Sequence, residues 1–219
     1  PGGPNIPNTA EGTYKIVFDE NNLTFTKELY SWGLVGDATP GGWGDPGPDI
    51  PLEYDSCSDT WKAIAVLTDG NWKVRLNNDW PVNYGLGDAP GTLAAGGGDI
   101  PVEAGTYLVT INFNDNTYTI VEDTYGIVGS ATPNGWDGPD VPFTPDYCNE
   151  GLYYAYNVTL VEGLIKFRRN NNWDENYGDD GDGVLEPGGP DIPVTAGVYD
   201  VVLDLRNPSV PTYTLTEVN

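Results

Sequence analysis

Apolar and polar residues alternate along many short stretches of this chain, which is typical of half-buried β-strands. Residues 106–113 place four apolar side chains on one face, Tyr107, Val109, Ile111 and Phe113. Residues 198–205 do the same with Tyr199, Val201, Leu203 and Leu205. The pattern predicts strands at residues 30–36, 61–68, 71–77, 106–113, 117–121, 125–129, 153–160, 164–170, 198–205 and 212–216.

The segments between these strands are rich in turn residues. The chain holds 29 Gly and 19 Pro, and Asp-Gly, Gly-Gly and Asn-Asp pairs separate the alternating stretches. No stretch has the composition of a long helix, and no run approaches the ~18 to 20 apolar residues of a membrane-spanning helix. The sequence therefore predicts an all-β protein built of β-sandwich modules.

Three blocks of sequence occur twice, in the same order and at nearly the same period. The block at residues 33–43, which ends at Trp43, returns 93 positions later at residues 126–136. The block at residues 73–80 returns 93 positions later at 166–173, and residues 98–107 return 92 positions later at 190–199. Such regularity indicates a duplicated module, with repeats at residues 30–122 and 123–219.

Residues 1–29 match the tail of such a repeat. Tyr14, Ile16 and Phe18 alternate, Asn21 and Asn22 form a turn, and residues 23–26 alternate again. We interpret this segment as the closing hairpin of a preceding, truncated repeat in a longer polypeptide. An isolated hairpin is marginally stable in water, so it either belongs to a fuller domain upstream or rests on the next module.

The duplicated block Lys-x-Arg-x-Asn is the strongest functional candidate. In a strand, Lys73, Arg75 and Asn77 share one face, and Trp80 follows after a polar turn. The second copy presents the equivalent set, Lys166, Arg168, Asn170 and Trp173. Long hydrogen-bond donors beside a flat apolar ring suit a neutral, hydroxyl-rich ligand such as a sugar.

Composition excludes several function classes. The formal net charge is -24, from 9 basic and 33 acidic residues, which disfavours nucleic acid and anionic lipid as partners. The chain has no His, so the usual general base and the commonest metal ligand are both absent. We expect no cofactor.

Two further features have structural interpretations. Residues 179–183, Asp-Asp-Gly-Asp-Gly, carry oxygen ligands that calcium prefers, but they lack EF-hand spacing, and a solvated turn is the favoured interpretation. Cys57 and Cys148 occupy nearly equivalent places in different repeats, which are normally beyond the ~7 Å Cα limit for a disulfide. We expect both cysteines to be unpaired.

The repeated blocks resemble the C-terminal modules of SusE/SusF-type surface glycan-binding lipoproteins of Bacteroidetes. The likeness rests on residues 34–43, 73–80 with 83–85, and 99–107, together with their second copies. The arrangement of these blocks is also similar to that of glycogen- and starch-binding modules, in which a strand Lys precedes a Trp by seven residues. The resemblance implies immunoglobulin-like sandwiches that bind starch-like glucan at the outer-membrane surface, beside a SusC/SusD-like transporter, with a lipid anchor upstream.

The resemblance and the residue pattern together nominate twelve ligand-binding residues: Trp43, Lys73, Arg75, Asn77, Trp80, Tyr84, Trp136, Lys166, Arg168, Asn170, Trp173 and Tyr177. Structural roles are open for most of them. Trp43 and Trp136 could plug the core, the lysines could pair with acids, and the arginines could tie down acidic loops. Tyr84 and Tyr177 could support the fold. Trp32, Trp61 and Trp72 lie in strands, and we expect them to pack inside.

Three functions remain in competition at this point. The leading one is non-catalytic glycan binding. The second is an accessory fragment of a glycoside hydrolase, but such enzymes use two carboxylates about 5 to 10 Å apart, and we find no pair that both copies present within an apolar setting. The third is a structural stalk at the cell surface.

Overall fold

The computed structural model describes residue 5, residues 12–44 and residues 47–218. These residues form strands and turns, with no helix of the length and apolarity needed to cross a membrane. The prediction of an all-β, sandwich-type protein is confirmed. All ten predicted strands are present. The structure also contains shorter strands, which have too few residues to show an alternation of apolar and polar side chains.

The strands of the hairpin and the first repeat follow the predicted order. They are β1 (Tyr14–Asp19), β2 (Thr24–Leu29), β3 (Trp32–Val35), β4 (Ile50–Pro51), β5 (Glu53–Asp55), β6 (Thr60–Leu67), β7 (Gly70–Leu76), β8 (Asn83–Leu86), β9 (Leu93–Ala95), β10 (Ile100–Val102), β11 (Gly105–Asn112) and β12 (Thr117–Val121).

The second repeat has the matching set. Its strands are β13 (Tyr125–Val128), β14 (Val141–Pro142), β15 (Thr144–Pro145), β16 (Leu152–Leu160), β17 (Gly163–Arg169), β18 (Asn176–Gly178), β19 (Glu186–Pro187), β20 (Ile192–Val194), β21 (Gly197–Asp204) and β22 (Thr212–Glu217).

The described chain divides into two compact units. The first runs up to Leu52 and includes Asp69–Val102, and the second joins Glu53–Thr68 to the chain from Glu103 onward. The first unit contains the hairpin β1-β2 and a sheet in the order β4-β3-β7-β8-β9, with β10 also on β7. The repeat boundaries at residues 29/30 and 122/123 stay a prediction.

The second unit contains three sheets. One has the order β12-β11-β6-β5, another β14-β13-β17-β18-β19 with β20 also on β17, and the third β15-β16-β21-β22. Each sheet of the second repeat has the same strand order as its counterpart in the first. All described pairings are antiparallel, which suits strands joined by tight turns.

The core of the second repeat lies between its two sheets. Phe143, Ile165 and Phe167 come from one side and Val201 and Leu203 from the other, and all are buried in one cluster. Alternation along β21 puts Tyr199, Val201 and Leu203 inward, as the sequence predicts. Trp32, Trp61 and Trp72 are also buried, which confirms their expected packing role.

Glycine is required where β8 and its counterpart β18 each pass close to another backbone segment. A Cβ on Gly178 would lie 1.9 Å from the carbonyl oxygen of Pro190, and one on Gly85 would lie 2.0 Å from that of Gly98. No rotamer relieves a clash with the backbone. The Asn-Tyr-Gly motif of each copy is therefore fixed at its third position by packing.

The hairpin exposes the face that its counterparts bury. Ile16 and Phe18 are 63% and 60% exposed, although the matching residues Val109 and Ile111 are fully buried. Asn77 Nδ2 donates to the carbonyl of Leu29 at 3.0 Å. The hairpin is therefore tied to its own unit at one end, while its apolar face is open among the described residues.

The expectation of unpaired cysteines is wrong. Cys57 and Cys148 form a disulfide with a Cα–Cα distance of 5.6 Å, across a sequence separation of 91. That expectation requires each repeat to be a separate compact body. In the structure, β5, β6 and the turn between them belong to the same compact unit as the second repeat, which brings Cys57 to Cys148.

A buried carboxylate organises the turn beside this disulfide. Asp55 is 2% exposed. It accepts hydrogen bonds from Lys62 Nζ at 2.7 Å, from the Cys57 backbone N–H at 2.8 Å and from the Ser58 hydroxyl. Burial alone would raise the pKa of Asp55, but these donors outweigh it and lower the pKa to about 2.

Reduction of the disulfide is expected to destabilise the chain. A disulfide typically contributes about 2 to 4 kcal/mol to the free energy of unfolding. Urea unfolding of the native chain with and without reductant measures the difference, and the Cys57→Ser/Cys148→Ser variant should match the reduced protein. Identical unfolding midpoints in both conditions would contradict the pairing, as would alkylation of either thiol in the non-reduced native chain.

The lowered pKa of Asp55 predicts that the folded chain loses stability in acid. Because its folded pKa lies below its ordinary value of 3.8, its stabilisation is complete above that value and is lost as the pH falls toward 2. We expect Asp55→Asn to lose about 2 kcal/mol of unfolding free energy relative to wild type at pH 6, and the gap to close by pH 2. If the difference in unfolding free energy between the two proteins is independent of pH, the Asp55 carboxylate charge is not its cause.

Candidate functional site

Each repeat brings two tryptophans together from separate turns of one sheet. Trp43 follows β3 and Trp80 follows β7, and their ring centroids lie 6.2 Å apart at an interplanar angle of 29°. Trp136 and Trp173 form the matching pair, at 6.0 Å and 40°. Neither pair is sealed in a core, and Trp173 is 46% exposed.

A buried arginine underlies one ring of each pair. The Arg75 guanidinium carbon lies 4.7 Å from the Trp80 ring centroid, and that of Arg168 lies 4.5 Å from Trp173. Such cation–π contacts are strengthened by desolvation, and both arginines are almost fully buried. One face of each indole is thereby occupied by protein.

An aspartate holds each arginine through two parallel hydrogen bonds. Arg75 Nε and Nη2 donate to Asp49 at 2.8 Å each. Arg168 donates to Asp140 at 2.8 and 2.7 Å. Both ion pairs have side chains no more than 2% exposed, so each guanidinium is held in a fixed plane.

The same arginine reaches the loop of the first tryptophan. Arg75 Nη2 also donates to the carbonyl of Gly44 at 2.7 Å, and Gly44 directly follows Trp43. The Arg75 side chain therefore touches both turns that supply the Trp43–Trp80 pair. Its burial and its partners match the alternative role in which the arginine ties down an acidic loop.

Asparagines fix the second tryptophan turn. Asn83 Nδ2 donates to the Trp80 carbonyl at 2.8 Å, and Asn176 Nδ2 donates to the Trp173 carbonyl at 2.9 Å. Both asparagines begin the short strand that follows the turn. The geometry of each tryptophan is thus determined by strand ends and side-chain hydrogen bonds.

The two lysines differ. Lys166 is buried, and its Nζ donates to the Gly189 carbonyl at 2.7 Å. Lys73 is half-buried, and its side chain has no hydrogen-bond or ion-pair partner among the described residues. Lys73 can offer its ammonium donors to a ligand, whereas Lys166 would first have to release a backbone carbonyl.

Asn77 and Asn170 bind backbone. Both adopt positive φ, 59° and 54°. Asn77 Oδ1 accepts from the Ser31 N–H at 2.9 Å, and Asn170 Oδ1 accepts from the Thr124 N–H at 3.0 Å. These contacts hold the chain segment that enters each repeat.

Tyr84 and Tyr177 are half-buried. The Tyr84 ring meets the buried Trp32 edge-on, with centroids 5.9 Å apart. The Tyr177 hydroxyl donates to Glu175 at 3.2 Å, and burial and the Glu175 charge raise the Tyr177 pKa. Both tyrosines therefore have partners within the fold.

The acidic turn is folded on itself. Asp179 Oδ1 accepts the backbone N–H groups of Gly181, Asp182 and Gly183, and Asp179 Oδ2 accepts the Tyr213 hydroxyl at 2.9 Å. Oxygens of Asp179, Asp180, Asp182 and Glu186 lie within 4.8 Å of one another. The hydrogen bonds explain the turn, and we assign no ion to it.

Sequence reasoning missed the two aspartates that position the site. Asp49 and Asp140 both lie in a Gly-Pro-Asp-x-Pro motif, at residues 47–51 and 138–142. This recurrence was the available signal. It could not show the partner of each aspartate, because the arginine is 26 or 28 residues away along the chain.

No protein-family model matches the chain, and no curated protein matches it. Among solved structures, SusF from Bacteroides thetaiotaomicron is similar over 86% of this chain and 49% of that chain, at 18% identity and a TM-score of 0.36. The chain spans about half the length of that structure, and this likeness by itself assigns no family or function.

The buried ion pair predicts a large stability effect. Asp140→Asn would leave the Arg168 charge buried without its counter-charge, which typically costs about 3 to 5 kcal/mol. Urea unfolding measures the loss. As a control, Asp123→Asn breaks the exposed Arg169–Asp123 pair, which should cost about 1 kcal/mol or less. Equal effects of the two substitutions would contradict the proposed dependence on burial.

Proposed function

We propose that this chain is a non-catalytic carbohydrate-binding protein that holds a neutral polysaccharide on its two tryptophan pairs. The observation that carries the proposal is the recurrence of one arrangement in both repeats. In each, two indoles from separate turns lie about 6 Å apart. In each, a buried arginine backs one ring.

The chemistry of the pairs favours a sugar. A pyranose presents an apolar face of C–H groups, which an indole ring can cover. Since the arginine occupies one face of Trp80 or Trp173, a ligand would use the surface of the pair that the arginine leaves uncovered. The net charge of -24 opposes anionic ligands, so a neutral glycan fits better than a charged one.

Within this proposal the twelve nominated residues have unequal roles. The four tryptophans supply contact surface, and Lys73 supplies donors. Arg75 and Arg168 act as positioning residues because their hydrogen bonds go to aspartate, and Asn77 and Asn170 hold backbone. Lys166, Tyr84 and Tyr177 remain candidates for the rim of each site.

The presence of two sites would strengthen binding to a long polysaccharide. One shallow site with a dissociation constant near millimolar corresponds to only about 4 kcal/mol. Two such sites on one polymer raise the apparent affinity without a new contact. The difference between Lys73 and Lys166 gives the two sites different donor sets, so we propose that they differ in affinity.

We place this activity outside the cell. The Cys57–Cys148 disulfide is of a kind that persists in oxidising compartments and is rare in the cytosol. With the family resemblance, this supports a lipid-anchored protein at the bacterial outer membrane, which feeds starch-like glucan to a SusC/SusD-like transporter.

Loss of the arginine-backed indole should weaken binding at each site. We expect Trp173→Ala and Trp80→Ala each to raise the dissociation constant of its own site about tenfold or more, which corresponds to about 1.4 kcal/mol. Affinity electrophoresis in gels that contain amylopectin or laminarin measures this, with Val82→Ala, an exposed neighbour of Trp80, as the control.

Two outcomes would count against the proposal. If no neutral polysaccharide slows the migration of the wild-type chain, the structural-stalk hypothesis is favoured. Release of reducing sugar from either glucan by the purified chain would favour the glycoside-hydrolase fragment.

A further inference from the structure

A second aromatic surface lies on the other sheet of the second repeat. Tyr154 and Tyr156 alternate with buried Ala155 along β16 and therefore point away from the core. Their rings are parallel to within 4°, with centroids 5.8 Å apart. Tyr156 is 65% exposed, although a tyrosine is usually at least half-buried.

A β-bulge shapes this surface. Ala155 pairs with Val201 and Val158 pairs with Tyr199, so two residues of β16 stand opposite the single residue Asp200. Bulges re-aim side chains and raise the local twist. Here Asn157 adopts a φ of 55° and donates its backbone N–H to Asp200 Oδ1 at 2.9 Å, so the bulge is held by a specific contact.

The fold does not require the aromatic pair. The counterpart strand β6 pairs with β11 without any shift in register. By register, Lys62 and Ile64 stand where β16 has Tyr154 and Tyr156, and Lys62 is engaged in the ion pair with Asp55. The parallel rings and the bulge are thus features of the second repeat alone.

The neighbouring strands add polar groups to the same face. Tyr154 pairs with Val202, which pairs with Thr214, and Asp200 pairs with Thr216. Thr214 and Thr216 are exposed. Carboxylate and hydroxyl oxygens accept hydrogen bonds from sugar hydroxyls, and the carboxylate repels anions.

We propose that this face, Tyr154 and Tyr156 with Asp200, Thr214 and Thr216, is a separate binding surface for one strand of a neutral polysaccharide. A pyranose would lie on the exposed Tyr156 ring, while its hydroxyls donate to Asp200. The ligand class rests on the proposed function. The surface lies on the sheet β15-β16-β21-β22, whereas the Trp136–Trp173 pair belongs to the sheet that contains β17.

The test uses a background in which both tryptophan sites are weakened. The full chain with Trp80→Ala and Trp173→Ala should keep weak retardation in amylopectin or laminarin gels. Adding Tyr156→Ala should raise the remaining dissociation constant about two- to tenfold, in line with the usual contribution of an aromatic contact. Tyr156→Trp should preserve the retardation, and Tyr156→Leu, which is apolar but not flat, should not.

Ile64→Ala, at the matched position of the first repeat, is the control and should leave retardation unchanged. Thermal unfolding confirms that each variant is folded. If the tryptophan double variant shows no retardation while wild type does, the tyrosine surface is refuted and the tryptophan sites stand. If wild type is not retarded, both proposals fail. A dimer in sedimentation that Tyr156→Ala dissociates would make this face a contact between copies and overturn the inference.

Discussion

The candidate sites depend on one interaction, the buried arginine–aspartate pair beneath one tryptophan of each pair. An isolated charge would be costly to bury, so Arg75 and Arg168 can lie under an indole only because Asp49 and Asp140 meet them in two hydrogen bonds each. The pair fixes the guanidinium plane, and the guanidinium in turn supports the ring. An exposed aromatic that would otherwise sample several rotamers is thereby held in one orientation, which reduces the entropy lost when a ligand binds.

The two repeats of the sequence share this buried ion pair but differ in the residues that surround it. Lys166 Nζ donates to a backbone carbonyl, whereas the Lys73 side chain has no such partner in the part of the chain that the structure describes. Residue 169 is an arginine bonded to Asp123 and Glu175, where the first repeat has Leu76. The aromatic pair on β16 occurs in the second repeat only. Once a scaffold fixes the aromatic platform, its neighbours can diverge without loss of the fold.

Much of the fold could be predicted from sequence because its signals are local. Alternation in residues 106–113 and 198–205 gives the strands and their inward faces, and the repeat period gives the order. The pairing of Arg75 with Asp49 is not local, so the alternation that places Lys73, Arg75 and Asn77 on one face could not show which of them a ligand would meet. The disulfide was missed for the same reason. The repeat period is a property of the sequence, whereas compact units are determined by contacts in space. Residues 53–68, which include Cys57, pack with the later part of the chain.

The disulfide also changes how the chain would carry a mechanical load. If the chain holds a polysaccharide as proposed, it is pulled along its length, and tension enters a polypeptide through its ends. Between Cys57 and Cys148 that tension would pass through the sulfur–sulfur bond instead of the peptide backbone. The bypassed stretch contains β6 to β15 and corresponds to about 300 Å of extended chain. This covalent shortcut would keep the intervening sheets, including the strand that carries Lys73 and Arg75, from being drawn out while the glycan is held.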